Sequence, residues 1–101
     1  MYKGYIEKPS EEEQKCIDKV SPSKRLFLNT QAKILSPKRL CDKINKELEE
    51  VLKEENRLCI LYYQQGHKEV KGKIDACRKE FDRLNNEIVY LVNKYPEIVG
   101  E

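Results

Sequence analysis

Between Cys41 and Tyr95 the apolar residues of this chain keep a heptad rhythm with one break in it. Cys41, Ile44, Leu48, Val51, Leu58 and Tyr62 occupy alternating a and d positions, with Glu55 the single interruption. Val70, Ile74, Cys77, Phe81, Leu84, Ile88, Leu91 and Tyr95 continue at alternating steps of four and three residues. A period near 3.5 belongs to a helix with one apolar seam, not to a strand, whose side chains alternate every second residue. Gln64-Gln65-Gly66-His67 separates the two runs, and a glycine there suits a helix end. Folding the chain back at Gly66 pairs Tyr62 with Val70, Leu58 with Ile74, Val51 with Phe81, Leu48 with Leu84, Ile44 with Ile88 and Cys41 with Leu91. Every a then meets a d. Glu55 is left facing Cys77 and has to reach outward for water.

The pattern therefore predicts an all-α fold: an antiparallel two-helix coiled-coil hairpin over about 37–64 and 67–95, turning between Tyr63 and Glu69. Ion pairs from Glu49 to Lys53, Glu69 to Lys73 and Asp75 to Lys79 would support the helices at i, i+4. The rival is one continuous helix to Tyr95 that dimerises. It would be about 90 Å long, with Gly66 and Gly72 inside it at about 1 kcal/mol each.

Residues 1–35 read as an N-terminal arm and 36–101 as the hairpin, together one domain. Met1, Tyr2, Tyr5 and Ile6 are apolar anchors without a period. Ser10-Glu11-Glu12-Glu13 has the form of a capping box, with three acids where the helix dipole favours them. A short helix follows to about Val20, presenting Cys16, Ile17 and Val20, and stops before Ser21-Pro22. Leu28, Ala32 and Leu35 suggest a second short helix within 23–35. Ser36-Pro37 is a clean start for the hairpin, serine at N-cap and proline at N1.

The hairpin carries more apolar surface than one seam can hide. Leu52, Cys59, Leu61 and Val92 flank the seam, and Ile60, Tyr63, Val89 and Tyr90 lie further round. A second apolar face implies a cover. Ile17, Val20, Leu26, Phe27 and Leu28 of the arm can supply part of it, and another chain the rest. The expected partner-binding set is Leu52, Ile60, Tyr63, Val89, Tyr90 and Val92. The alternative is that the short helices complete a three- or four-helix monomer.

Catalytic chemistry finds little to stand on. In 101 residues, with 38% charged against 39% hydrophobic, one small core is the most that can form. The glycines, Gly4, Gly66, Gly72 and Gly100, are isolated, so no phosphate-binding loop exists. Carboxylate pairs such as Glu49-Glu50 and Glu54-Glu55 fall on solvated helix faces rather than in a cleft. His67 is the only histidine and lies in the turn. Cys16, Cys41, Cys59 and Cys77 are spaced by 25, 18 and 18 residues, which rules out gripping one metal ion from a single turn. They read as reduced packing residues, and no cofactor or metal is expected. No apolar run reaches the roughly 18 residues of a membrane span and no signal peptide is legible, so the expectation is an intracellular protein, cytoplasmic or nuclear.

Charge is unevenly spread. Residues 21–46 carry Lys24, Arg25, Lys33, Lys38, Arg39, Lys43 and Lys46 against Asp42 alone, a net +6, whereas 47–101 sum to −3. Lys24, Arg25, Lys38, Arg39 and Lys43 form a candidate basic patch for phosphates or for an acidic protein surface. Within it, Ser21-Pro22-Ser23-Lys24-Arg25 and Ser36-Pro37-Lys38-Arg39 each resemble a site for a proline-directed, cyclin-dependent kinase, making Ser21 and Ser36 candidate phosphosites. Lys24-Arg25-Leu26-Phe27 resembles a cyclin-docking motif, and the Ser-Pro-basic pattern is also similar to minor-groove-binding tails of chromatin proteins. No family resemblance spans the whole chain. The functional expectation is a non-enzymatic helical interaction subunit or scaffold of a larger assembly, bound to another protein chain as a hetero-complex or homodimer. One alternative is a nucleic-acid-associated protein using the basic block 24–46. Another is a small inhibitor, of the kind phages encode, that occludes a larger enzyme or nucleoprotein complex.

Overall fold

Four helices account for nearly all of the described chain, and each of the first three starts at a serine. The computed structural model describes residues 9–98; the anchors at Met1, Tyr2, Tyr5 and Ile6 lie outside the described residues. Helix α1 spans Glu11–Asp18, α2 Pro22–Leu35, α3 Pro37–Gln65 and α4 Lys71–Lys94, with single 3-10 turns at Lys68–Val70 and Pro96–Ile98. Ser10 closes the predicted capping box: its Oγ accepts the Glu13 amide at 3.2 Å, and the Glu13 carboxylate accepts the Ser10 amide at 3.0 Å. Ser21 and Ser36 cap α2 and α3 through the hydroxyl alone, accepting the Lys24 and Arg39 amides, each with proline in the first turn.

Gly66 ends α3 at φ 73°, ψ 17°, and its amide and that of His67 both donate to the Leu61 carbonyl. The chain then reverses and α4 packs back along α3. The single continuous helix is not formed. α1 lies against α4 and α2 against α3, so the arm folds onto the hairpin and the chain becomes a four-helix structure of 53 × 29 × 27 Å.

Two apolar clusters hold it. At the open end of the hairpin, Val20, Leu28 and Ala32 from the arm meet Leu40, Ile44, Leu84, Tyr90 and Leu91. At the turn end, Leu58, Val70 and Ile74 form a smaller cluster with Cys59, Leu61, Tyr62 and Cys77 around it. No residue of α1 or α2 belongs to that second cluster.

Departures from the heptad reading follow from this two-part core. Phe81 was expected deep in the seam but is half-buried and joins neither cluster. It sits in the stretch where the hairpin has only two helices, and two helices cannot close over a ring from both sides. Glu55 does not reach for water opposite Cys77. It crosses the seam to Arg78, which donates from Nε at 3.0 Å. Leu26 and Phe27 were expected to cover the hairpin. Leu26 points away from it, because Leu28, Ala32 and Leu35 set the inner face of α2, and Phe27 stands half-exposed at the edge where α2 meets α3 and α4. The helix-supporting ion pairs also differ. Lys71 takes Asp75 and Arg57 takes Glu54, while His67 Nδ1 in the turn shares a hydrogen bond with Glu69.

Ser36 alone makes the corner between α2 and α3. Its φ of 89° is the only positive value at a non-glycine residue among those described. Such a conformation costs a residue with a Cβ about 1–3 kcal/mol, while exchanging a serine cap for glycine loses only a few tenths of a kcal/mol. Ser36→Gly should therefore raise stability, by about 0.5–1 kcal/mol in urea melts. In the same melts Leu84→Ala, at a site 1% exposed, should cost about 2–5 kcal/mol. Phe81→Ala should cost no more than about 2 kcal/mol. Equal losses at 81 and 84 would contradict the two-part core.

Candidate interaction surface

The arm is pinned to the hairpin by polar contacts that no heptad pattern announces. Glu87 is 4% exposed, on the flank of α4 beside the α1–α2 corner. Its Oε2 accepts from Arg83 Nη1 at 2.7 Å and lies 3.6 Å from Lys24 Nζ on α2. Arg83 also holds Glu80, and this hydrogen bond keeps the Glu80 carboxyl below the usual range. A few residues along, Asn29 Oδ1 accepts from both Tyr90 and Tyr95 hydroxyls, each at 3.1 Å. Arg25 turns back across the α1–α2 corner, donating to the Ile17 carbonyl at 2.7 Å and the Val20 carbonyl at 3.0 Å. Its guanidinium stands over the Tyr90 ring. No buried side-chain nitrogen or oxygen among the described residues lacks a partner.

These contacts redistribute the residues singled out from sequence. Tyr90, expected on an outer binding face, is in the core at 8% exposure. The heptad places it off the seam, and Arg25 and Asn29 of α2 reach across to it there. Val89 and Val92 are half-buried. Leu52, Ile60 and Tyr63 are exposed, and they fall on one side of α3. Tyr63 stands edge-on to Tyr62, with ring centroids 4.8 Å apart. Leu52 shares a shallow depression of about 340 Å³ with Glu55, Arg78, Phe81 and Asp82.

The basic patch is divided. Lys24 is drawn to Glu87 and also lies 4.8 Å above the Phe27 ring, while Arg25 is spent on backbone carbonyls. Lys38, Arg39 and Lys43 remain exposed. Ser21 and Ser36 are exposed as well, each with its hydroxyl capping a helix.

A surface that sequence reasoning missed runs along the outside of α2. Leu26 and Ile34 are each 69% exposed and Phe27 52%. Leu26-Phe27-Leu28 reads as a bare apolar triplet, and Ile34 is out of phase with Leu28, Ala32 and Leu35. That phase difference was the available signal. A second missed feature is a groove between α3 and α4, about 300 Å³, lined by Val51, Ala76 and Cys77 and rimmed by Glu50, Glu54 and Glu80.

The groups able to do chemistry are otherwise engaged. The carboxylate of Glu87 is paired on both sides, and His67 is half-exposed with Nδ1 3.1 Å from Glu69. Cys16, Cys41, Cys59 and Cys77 are free thiols. No group of three or more histidine, cysteine or acidic side chains able to hold a metal ion occurs among the described residues, and no helix there is long and apolar enough to cross a membrane. Set against protein-family models, curated proteins and solved structures, the chain matches none.

Burial raises the Cys41 thiol, and Asn45 Nδ2 lies 3.8 Å from its sulfur. With less thiolate and no access, Cys41 should be the slowest of the four thiols to alkylate in the folded protein. Timed iodoacetamide labelling read by peptide mass spectrometry checks this. Labelling of Cys41 as fast as Cys16 would show that the open-end core is not closed.

Proposed function

We propose that this chain is a non-enzymatic helical interaction subunit that docks another protein along the turn half of its hairpin. The observation that carries the reading is the exposed stripe of Leu52, Ile60 and Tyr63 on α3. It lies on a part of the rod whose core receives nothing from the arm. Rigid aromatic and aliphatic side chains held out on a fixed helix bury large area at little entropic cost, and interface energy concentrates on such anchors. Lys38, Arg39 and Lys43 are free to steer encounter with an acidic surface, which acts on association rate more than on affinity. The non-catalytic part of the reading is supported by the engagement of Glu87 and the solvent position of His67.

Phosphorylation belongs to the same proposal as its regulation. Ser21 borders a cleft lined by Lys19, Lys24, Arg83 and Glu87, so a phosphate there would meet Lys19 and the α2 amides and compete with Glu87 for Lys24 and Arg83. Neither first turn, of α2 or of α3, carries an acid.

The test is co-purification of the tagged full-length chain from its own cells, with and without nuclease, followed by titration of the recovered partner. Ile60→Asp with Tyr63→Ala should weaken binding by 30-fold or more, since anchors of this kind are worth about 2 kcal/mol or more each. Reversal of Lys38, Arg39 and Lys43 to Glu should mainly slow association. A nuclease-sensitive complex, lost on charge reversal and untouched by the Ile60 and Tyr63 changes, would replace this reading with nucleic-acid binding through phosphates.

A further inference from the structure

α2 is a helix with two apolar faces, and only one has a partner. Leu28 and Ala32 are in the core, while Leu26 and Ile34 face out and Phe27 stands half-exposed at the edge of that outer face. What covers the outer face is constrained by charge. The chain has no acidic residue from Lys19 to Cys41, and Lys33 is exposed on α2 between Phe27 and Ile34. Two such faces set against each other would bring like charges together, which is costly in an interface. The matching surface has to be apolar and acidic.

The α3–α4 groove has that character. Its floor is Val51, Ala76 and Cys77 and its rim Glu50, Glu54 and Glu80. Arg57 and Arg83 offset two of these acids, and Glu50 has no ion pair among the described residues. The groove also continues the line that α2 already follows. Lys24, Phe27 and Leu28 of α2 face Glu47 on α3 and Arg83 on α4, and the open groove begins one turn further along, at Glu50 and Glu80. A chain's own α2 cannot slide into it. Leu28 and Ala32, the Asn29–Tyr90 hydrogen bond and the one-residue corner at Ser36 hold α2 where it is.

We infer that two copies of this chain associate about a two-fold axis, the outer face of each α2 lying over the acid-rimmed groove of the other. A single helix face is short of the roughly 1,200 Å² that specific interfaces bury, and two-fold repetition doubles the contact. The contact uses neither Ile60 nor Tyr63, so this inference and the partner-docking proposal can fail separately.

Sedimentation equilibrium of the full chain up to about 100 µM tests it, with a dissociation constant expected on the order of micromolar. The wild type should reach twice its 12.0 kDa mass and dissociate as salt rises. Ile34→Asp should weaken the dimer at least tenfold, and so should Glu50→Arg with Glu54→Arg. All three sites are exposed, so circular dichroism should be unchanged. An equimolar mixture of the two variants should also stay largely monomeric, because the mixed pair keeps one intact contact and loses the other. A wild type that stays at 12.0 kDa overturns the inference. So does a dimer indifferent to Ile34→Asp, or a mixture that pairs as tightly as the wild type.

Discussion

The attachment of α2 to the hairpin rests on one buried carboxylate. Glu87 is almost wholly withdrawn from water, and a charge so placed is tolerable only when paired. Arg83 supplies the pairing from the same helix, one turn away, and Lys24 supplies it from α2. The pair alone would be a weak source of stability, because desolvation consumes much of the Coulombic gain. Its value lies in position. Apolar contacts at Leu28 and Ala32 tolerate small slips of α2 along the hairpin, whereas Lys24 on Glu87 and Asn29 under two tyrosine hydroxyls fix both its register and its rotation.

Fixing the rotation of α2 decides what the rest of the surface looks like. With Leu28 and Asn29 turned inward, Leu26 and Ile34 have to point out, and Phe27 is left half-exposed at the edge. With α2 spent on the open end, the turn half of the hairpin stays two helices thick, and its seam residues Cys77 and Phe81 are only partly covered. The molecule thus has a closed half, held by apolar packing and polar pins, and a half with apolar side chains still open to solvent. Such a division is costly for a small chain unless another surface comes to the open half. The functional proposals above start from that imbalance.

Much of the fold was legible in the sequence because it depends on local signals. Ser10, Ser21 and Ser36 cap through chemistry contained in four residues, and Gly66 turns the chain because it alone adopts its φ without strain. The seam residues Leu58, Ile74 and Leu84 followed from period alone. The flanks were not legible. Whether Tyr90 binds a partner or fills the core depends on which side of α4 receives α2, and helical period carries no such information. Glu55 was a defect in the heptad until Arg78, 23 residues away, came within reach. The same limit applies to the candidate site: Leu52, Ile60 and Tyr63 were recognisable as surplus apolar surface, but the basic patch could not be divided without knowing that Lys24 and Arg25 are used internally.

In this structure α2 is part of the folded unit, locked in one rotation, and not a tether beside a hairpin. Residue-resolved hydrogen exchange tests this most directly, because it reports the opening of each helix separately. The amides of α2 from Leu28 to Ala32 should exchange with the same opening free energy as those around Ile44 and Leu91. In Glu87→Gln the protection of α2 should fall while that around Leu58 and Ile74 is retained. Amides of α2 that exchange at the free-peptide rate while α3 and α4 stay protected would contradict the account.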